Sequence, residues 1–443
     1  MNIFAANLPS NSIERRNILW YTLNGTLFGI AMVFYSNILV QTYLVNIGLA
    51  NSQIGLIGFF GNAALSVGTF FFMGISDKIK NDFKVVTFCN LLYCLSPICL
   101  TLIGLLKILN ITTNINIGII LCILIAAGLV QNVVAALYNI MYNRIFIKIV
   151  SCNIFGKVCA LAGAVISIVS VAAGALSTRF VNASGFPGGF IINFAIAALL
   201  FIISSLFISQ LKSLIPQVNH DDGKDMGKKS SLEIIKKLFM LTEFKKLAVP
   251  NVLRGLVNGC VYFVMSVGIT RLSLPLEYSS YLVLGNTVAA ILGNIAFGII
   301  VNKLKIGKIC FIGNIIAAFA LLNLALTSNR NIFLLFNFIL FFGQSFIDQG
   351  VPVGIYQIVP SEIMGAFTGG RFLLMTGGTA ISTYIIGNLL DKVNILFIFT
   401  IVASIQVVAG YLFWRGFKQS GSTSTVNIYV NNENNFGEGV NNG

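Results

Sequence analysis

Asp348 is the only carboxylate that the sequence places well inside a long apolar run, the one over residues 332–357. If this run crosses a membrane, a charged side chain there costs several kcal/mol unless it is paired or solvated. Arg254 and Arg371 lie at similar depth in other apolar runs and are its candidate partners. Two roles stay open for Asp348: a site for a proton or a cation, or one member of an ion pair that locks one conformation. We favour the ion pair, because nearby arginines readily neutralise a single acid.

Residue sets for enzyme chemistry are missing from the apolar runs. The one histidine, His220, falls in a charged segment, and the eight cysteines show neither CxxC spacing nor a histidine partner. The runs hold no Ser/Lys pair, metal-ligand spacing or phosphate-binding loop. We therefore expect no enzyme activity, no metal and no cofactor.

The composition makes lipid the expected solvent of this chain. Of its residues 56% are hydrophobic and only 9% charged, whereas soluble domains carry about 25% charged residues. A bilayer core takes roughly 20 apolar residues per helix, and the chain offers twelve such runs. We number them spans 1 to 12 and predict them at residues 17–45, 52–73, 84–108, 115–141, 157–178, 188–211, 248–270, 279–300, 307–327, 332–357, 368–389 and 393–414.

The positive charges are distributed unevenly over the two predicted sides of the membrane. Of the 28 lysines and arginines, the outer side receives only these: Lys107, Arg179, Arg271, Arg330 and Lys392. Because positively charged loops stay in the cytoplasm, we expect both termini and the central loop to be cytoplasmic, in the plasma (cytoplasmic) membrane. The distribution also argues against nucleic acid as the partner of this chain, despite its net charge of +14.

The spans divide into two halves of six. We expect five parts: a cytoplasmic N-terminus (1–16), a first half (17–211), a cytoplasmic linker (212–247), a second half (248–415) and a disordered tail (416–443). Within the linker, Ser230 and Glu233 have capping-box spacing, which predicts a short amphipathic helix.

A short pattern occurs in both halves, about half the chain apart. Gly61-Asn62 reappears as Gly285-Asn286, and Gly74 reappears as Gly298, both at an offset of 224 residues. Related halves are a recurrent design of secondary carriers, whose solute site lies at the interface of the repeats near the bilayer midplane. The repeat therefore predicts transport.

The segment from Gly74 to Lys84 resembles the cytoplasmic loop signature of the major facilitator superfamily. In that signature a glycine precedes an aspartate by three residues, as Gly74 precedes Asp77, and basic residues follow. The matching segment after span 8 has Asn302 in place of the aspartate, and the resemblance extends over about 17–415. It implies these candidates for gating: Gly74, Asp77, Lys78, Lys80, Asn302 and Lys303. We add Arg254, Asp348 and Arg371 as candidates for gating or coupling, because of their depth in the apolar runs.

The resemblance also implies that spans 1, 4, 7 and 10 line a central cavity. Polar residues on their faces are the candidates for contact with the solute: Tyr21, Asn24, Tyr35, Gln131, Asn132, Tyr138, Asn139, Asn258, Tyr262, Gln344, Ser345 and Asp348. On span 1, Asn37 and Gln41 occupy roughly the opposite face, and we favour the face with Tyr35. Amides and hydroxyls suit a neutral or weakly polar solute, which leaves sugars, nucleosides and amino-acid-like compounds open. The alternative is that many of these amides only bond between helices.

Together these features predict an all-α membrane protein of twelve helices in two pseudo-symmetric halves, with the facilitator fold. We expect a monomer that moves a small organic solute by alternating access, as a facilitative or secondary active carrier. Its partners are then the solute, the lipid bilayer and, if transport is active, a coupling proton or Na⁺. The rival functions are export of amphiphilic compounds, a membrane sensor that does not transport, and lipid handling. The resemblance also argues against drug–proton export. Proton-driven antiporters of the superfamily usually carry an arginine in span 4, and its drug exporters carry a Gly-Pro signature in span 5, whereas residues 128–142 hold no arginine and residues 156–176 hold no proline.

Overall fold

The computed structural model describes residues 12–75, 79, 81–109, 117–150, 155–214, 231–301, 303–359 and 361–420. Within these ranges the regular secondary structure is entirely helical. The helices are α1 (Ser12–Phe34), α2 (Asn37–Asn46), α3 (Asn51–Ile75), α4 (Asp82–Leu92), α5 (Leu95–Ile108), α6 (Ile117–Ile149), α7 (Phe155–Ser209), α8 (Ser231–Met240), α9 (Thr242–Val261), α10 (Val264–Leu272), α11 (Glu277–Ile300), α12 (Ile306–Leu326), α13 (Arg330–Ile358), α14 (Ser361–Leu390) and α15 (Ile395–Ser420).

The helix α7 holds two membrane crossings. The described residues contain eleven helical stretches that are long and apolar enough to span a bilayer, and one of them, Val165–Ser209, has 45 residues. Gly185 has a φ of 59° and Phe186 is also non-helical, so the chain reverses there. A Cβ atom added at Gly189 would lie 2.6 Å from the Phe180 carbonyl oxygen, which shows how closely the two legs pack. The legs are spans 5 and 6, and the predicted architecture of twelve helices is confirmed.

Three spans are each built from two helices. Span 1 consists of α1 and α2, span 3 of α4 and α5, and span 7 of α9 and α10. The sequence analysis treated each as one continuous helix, because the apolar run continues through the break. In span 1 the break has a capping residue of its own, since the Ser36 hydroxyl accepts a hydrogen bond from the Leu39 amide at 3.4 Å.

The linker helix α8 lies across one end of the bundle and contacts both halves. Its first residue, Ser231, packs against Gly74 of α3, where an added Cβ would lie 3.1 Å from the Ser231 nitrogen. Leu238, which is 3% exposed, packs against Gly370 of α14. We call this end of the bundle the linker end, and the opposite end, where α2 meets α3, the far end.

Candidate substrate cavity

A cavity of about 490 Å³ lies between the two halves. The first half contributes α2, α3, α5 and α6 to its wall, and the second half contributes α9, α13 and α14. The described residues that line it are apolar or neutral polar, and no charged side chain is among them. Its polar lining consists of Tyr35, Asn37, Asn62, Ser96, Gln131, Asn132, Asn258, Tyr262, Thr376 and Thr379.

Two tyrosines reach the cavity because each lies at a helix break. Tyr35 follows α1, and its hydroxyl donates a hydrogen bond to Gln131 Oε1 at 3.1 Å. Tyr262 follows α9, and its carbonyl oxygen accepts a hydrogen bond from Gln41 Nε2 in the other half. The interrupted spans thus bring polar groups of both halves to one cavity. They also place Asn37, on the face of span 1 that we did not favour, in the same wall as Tyr35.

Five of the twelve candidate residues line the cavity: Tyr35, Gln131, Asn132, Asn258 and Tyr262. The Asn132 amide nitrogen donates to its own helix, to the Gly128 carbonyl oxygen at 2.8 Å. Its amide oxygen is then the group that is oriented for a second partner.

Four other candidates occupy contacts between helices or along one helix. Tyr21 and Tyr138 both stack on Tyr142, with ring centroids 5.6 and 5.0 Å apart. Asn24 is buried and donates to the Ser204 carbonyl oxygen at 3.0 Å. The Ser345 hydroxyl donates to the Phe341 carbonyl oxygen of its own helix at 2.9 Å.

The remaining candidates lie outside the cavity lining. Gln344 is buried, Asn139 is exposed on α6 and Asp348 is exposed on α13. Of the gating candidates, Gly74 packs on α8 and Lys303 is exposed. Asp77, Lys78, Lys80 and Asn302 lie outside the described residues.

Sequence reasoning did not select five of the polar lining residues: Asn37, Asn62, Ser96, Thr376 and Thr379. Four of them, all except Asn37, stand on spans 2, 3 and 11, which the resemblance did not assign to the cavity. Asn62 carried a usable signal, because it belongs to the Gly-Asn pair that the two halves repeat. The threonines of α14 carried none beyond their polarity in an apolar run.

Asp348 forms an ion pair with Arg254 of α9. The arginine side chain is only 7% exposed, whereas that of Asp348 is 56% exposed. The ion pair therefore joins a buried cation to an accessible carboxylate. Arg371 lies on α14, which packs closely against α9 here, because a Cβ atom added at Gly255, the residue after Arg254, would lie 3.0 Å from the Met375 carbonyl carbon.

Hydrogen bonds between the halves close the cavity at the far end. Asn51 Nδ2 donates to Asp391 Oδ1 at 2.9 Å, and the Ser52 amide donates to Asp391 Oδ2 at 3.0 Å. The Ser266 hydroxyl also donates to Asn51 Oδ1. Glycine makes close approach possible next to these bonds, because a Cβ at Gly55 would lie 2.7 Å from the carbonyl oxygen of Thr383.

The sequence matches the family profile of the Major Facilitator Superfamily over residues 21–380, most of the chain. The protein belongs to the major facilitator superfamily. The resemblance seen in the sequence is thereby confirmed, and with it an integral membrane protein of many spans. Facilitators are transporters rather than enzymes, so the coarse function of this chain is solute transport.

Solved structures of other facilitators share the fold at low sequence identity. A D-xylose–proton symporter is 13% identical, with 91% of this chain and 98% of that chain covered and a TM-score of 0.67. A variant of the nucleoside transporter NupG is 14% identical, with 90% and 99% covered and a TM-score of 0.65. The fucose–proton symporter FucP of E. coli is 13% identical, with 92% and 100% covered and a TM-score of 0.60. A comparison with curated protein sequences found no match.

In this facilitator the cavity lies at the interface of the two halves, where a carrier of repeated halves holds its solute. The closed far end and the neutral lining are the features from which a solute class and a conformation can be argued.

Proposed function

We propose that this facilitator carries a small, neutral, polar organic solute across the membrane by alternating access, as a monomer. The observation that carries the proposal is the cavity between the halves, with a polar lining of amides and hydroxyls and no charged side chain. Its volume of about 490 Å³ falls within the range of roughly 300–1,000 Å³ for small-molecule sites.

The lining favours sugars or nucleosides as the solute. Amides and hydroxyls both donate and accept hydrogen bonds, as sugar hydroxyls require, and the rings of Tyr35 and Tyr262 offer apolar faces. An amino acid or a phosphate ester would bring charges into a lining that has no charge to pair with them. The xylose, fucose and nucleoside transporters that share the fold support this class.

The orientation follows from the distribution of positive charge. By the positive-inside rule, the linker end and both termini lie in the cytoplasm, and the far end faces outward. The far end is closed by hydrogen bonds between the halves, while Asp348 toward the linker end is more than half exposed. We therefore assign this structure to an inward-facing state.

A binding panel on the purified protein tests the solute class. Sugars, nucleosides, amino acids and amphiphilic drugs are compared for the rise in melting temperature that selective binding to the folded state causes. We expect one class of neutral polar solute to stabilise the protein. Stabilisation by amphiphiles alone would overturn the proposal and favour export.

The variant Gln131→Leu then tests the cavity with the stabilising solute. Loss of one or two hydrogen bonds to an uncharged solute should weaken binding by about 3- to 30-fold. Gln406→Leu is the matched control, because Gln406 is a buried amide without a hydrogen-bond partner in α15, away from the cavity lining. Equal effects of the two variants would remove Gln131 from the site.

We further propose that Asp348 couples uptake to a proton. The exposure of its carboxylate, next to the buried Arg254, supports this role. In proteoliposomes with a proton gradient, Asp348→Asn should abolish accumulation of the solute but retain counterflow exchange. Accumulation at the wild-type level in this variant would leave Asp348 as a structural ion pair.

A further inference from the structure

Two arginines extend the cavity wall toward the linker end. Arg254 lies four residues before Asn258, which lines the cavity, and so stands one helical turn below it on the same face of α9. Arg371 lies four residues before Met375, another lining residue, on the same face of α14. Both turns lead toward the linker end, because α9 and α14 each begin there.

Asp348 extends the wall in the same direction. It lies seven residues, or two turns, after Phe341, which lines the cavity from α13. We call Arg254, Asp348 and Arg371 the charged floor. It carries two positive charges and one negative charge, so the neutral cavity ends on a site with an excess of one positive charge.

The Asp348 carboxylate pairs with only one of the two arginines of the charged floor. Asp348 pairs with Arg254, and among the described residues Arg371 has no ion pair. The two arginines lie on helices that pack closely, since a Cβ atom at Gly255 would lie 3.0 Å from the Met375 carbonyl carbon, and like charges repel each other in a medium of low dielectric constant. The second cation of the floor is therefore uncompensated.

Three nitrogen atoms of the floor lack a hydrogen-bond acceptor. Nε and Nη1 of Arg371 and Nε of Arg254 are all buried, and the structure gives them no partner. Leaving a buried donor of a charged group unsatisfied costs more than the about 1–3 kcal/mol of a neutral group. Buried guanidinium N–H groups without a partner on neighbouring helices suit an acceptor that carries negative charge.

We propose that the charged floor binds one small anion, or the anionic group of a larger molecule, between Arg254 and Arg371. The anion would accept hydrogen bonds from the free N–H groups and offset the excess charge. A planar carboxylate fits guanidinium geometry, and a free inorganic anion such as chloride satisfies the same charge. This site goes beyond the proposed function, because it does not depend on which neutral solute the cavity takes.

Thermal unfolding of the purified full-length protein tests the site. Sodium methanesulfonate is replaced by chloride, acetate or phosphate at constant ionic strength, and the melting temperature is followed with anion concentration. At least one anion should raise the melting temperature, and the rise should saturate with anion concentration. A response to chloride or phosphate without acetate indicates a free inorganic anion, and a response to acetate alone indicates a carboxylate, such as a larger organic molecule would supply.

Two variants test whether the anion that raises the melting temperature binds at the charged floor. Arg371→Gln should weaken the apparent affinity by about tenfold or more, since hydrogen bonds to charged groups contribute about 1.5–3 kcal/mol each. Arg330→Gln is the matched control, because Arg330 is an exposed arginine that donates to the Leu272 and Ser273 carbonyl oxygens. It should leave the response unchanged. If Arg371→Gln cannot be purified, Arg371→Lys replaces it and should also bind less tightly, because it lacks the guanidinium fork.

Asp348→Asn gives an effect of the opposite sign. It removes the competing carboxylate, so the same anion should bind about tenfold more tightly. The proposal is overturned if no anion stabilises the protein over methanesulfonate, or if Arg371→Gln responds like the wild type. Either result would mean that water satisfies the floor.

Discussion

Hydrogen bonds between the two halves hold the far end together, whereas the buried Asn17 near the linker end bonds within its own half. At the far end, Asn51 of the first half donates to Asp391 of the second half. Near the linker end, Asn17 donates to the carbonyl oxygens of Ile149 and Lys212, all in the first half. The Arg254–Asp348 pair likewise stays within the second half.

We call the bonds between the halves at the far end the gate, and the bonds within each half the frame. The bonds at the far end are few and partly exposed, and a typical hydrogen bond contributes only about 0.5–1.5 kcal/mol net. Such bonds can break and re-form in the alternating-access cycle that we propose. The bonds of Asn17 are buried and join helices that move together. Substitutions at the far end should therefore shift the conformational equilibrium, and substitutions such as those of Asn17 should lower the stability of a half.

The largest effect should come from filling the close approach at the far end. In Gly55→Leu, the new side chain would start 2.7 Å from the Thr383 carbonyl oxygen and 3.1 Å from Gly387 Cα. The closed far end should lose about 3 kcal/mol, which shifts the equilibrium by roughly 100-fold. We expect transport in proteoliposomes to be nearly lost, with faster amide exchange at both contact sites.

The control for this prediction is Gly163→Leu. Gly163 is also a helical glycine, but a Cβ atom there would meet no atom within 4 Å. It should transport at the wild-type rate and keep the exchange pattern. Comparable loss of transport in both variants would mean that glycine is needed for folding rather than for closure.

The sequence predicts the frame better than the gate. The twelve crossings and the two halves follow from apolar runs and a repeat, since the hydrophobic pattern sets the span count. The break at Tyr35 was missed because the run continues through it, although Ser36 and Asn37 are typical capping residues. Without the break, Tyr35 and Asn37 could not be assigned to one wall.

The polar stripe of α6 shows a second limit of sequence reasoning. Helical periodicity predicts which residues share a face, but not where along the helix that face leaves the cavity. Gln131 and Asn132 line the cavity. Two turns further on, Tyr138 is 6% exposed and stacks on Phe28 of α1, with ring centroids 5.6 Å apart. Contacts with other helices decide whether a residue of this face lines the cavity or is buried, and helical periodicity carries no information about those contacts.

A smaller effect, confined to stability, should follow from Asn17→Ala. Asn17 is 1% exposed, and it also accepts a hydrogen bond from the Lys212 amide at 3.0 Å. Its removal leaves the buried Ile149 carbonyl oxygen without this donor and breaks the bonds with the Lys212 backbone, which should cost about 1–2 kcal/mol. We expect a lower melting temperature and an unchanged affinity for the solute.

Asn388→Ala is the control for this variant. Asn388 is half-buried and donates only to the Tyr384 carbonyl oxygen of its own helix, at 2.8 Å, so its removal should change the melting temperature little. If Asn17→Ala instead accelerated amide exchange at the start of α3, the linker end would belong to the gate and the comparison would fail.

The smallest effect should come from Asp391→Ala, and it tests the gate most directly. This substitution removes the acceptor of both Asn51 and the Ser52 amide. Because Asp391 is exposed, the loss should be about 1 kcal/mol, or roughly a fivefold shift toward the open far end. The Ser52 amide itself should exchange about fivefold faster, while the melting temperature stays near that of the wild type.

Lys392→Ala, at the adjacent exposed position, should leave Ser52 protected. A drop in melting temperature with unchanged exchange at Ser52 would show that Asp391 supports the fold of its own half, and that the other contacts between the halves hold the far end together without it.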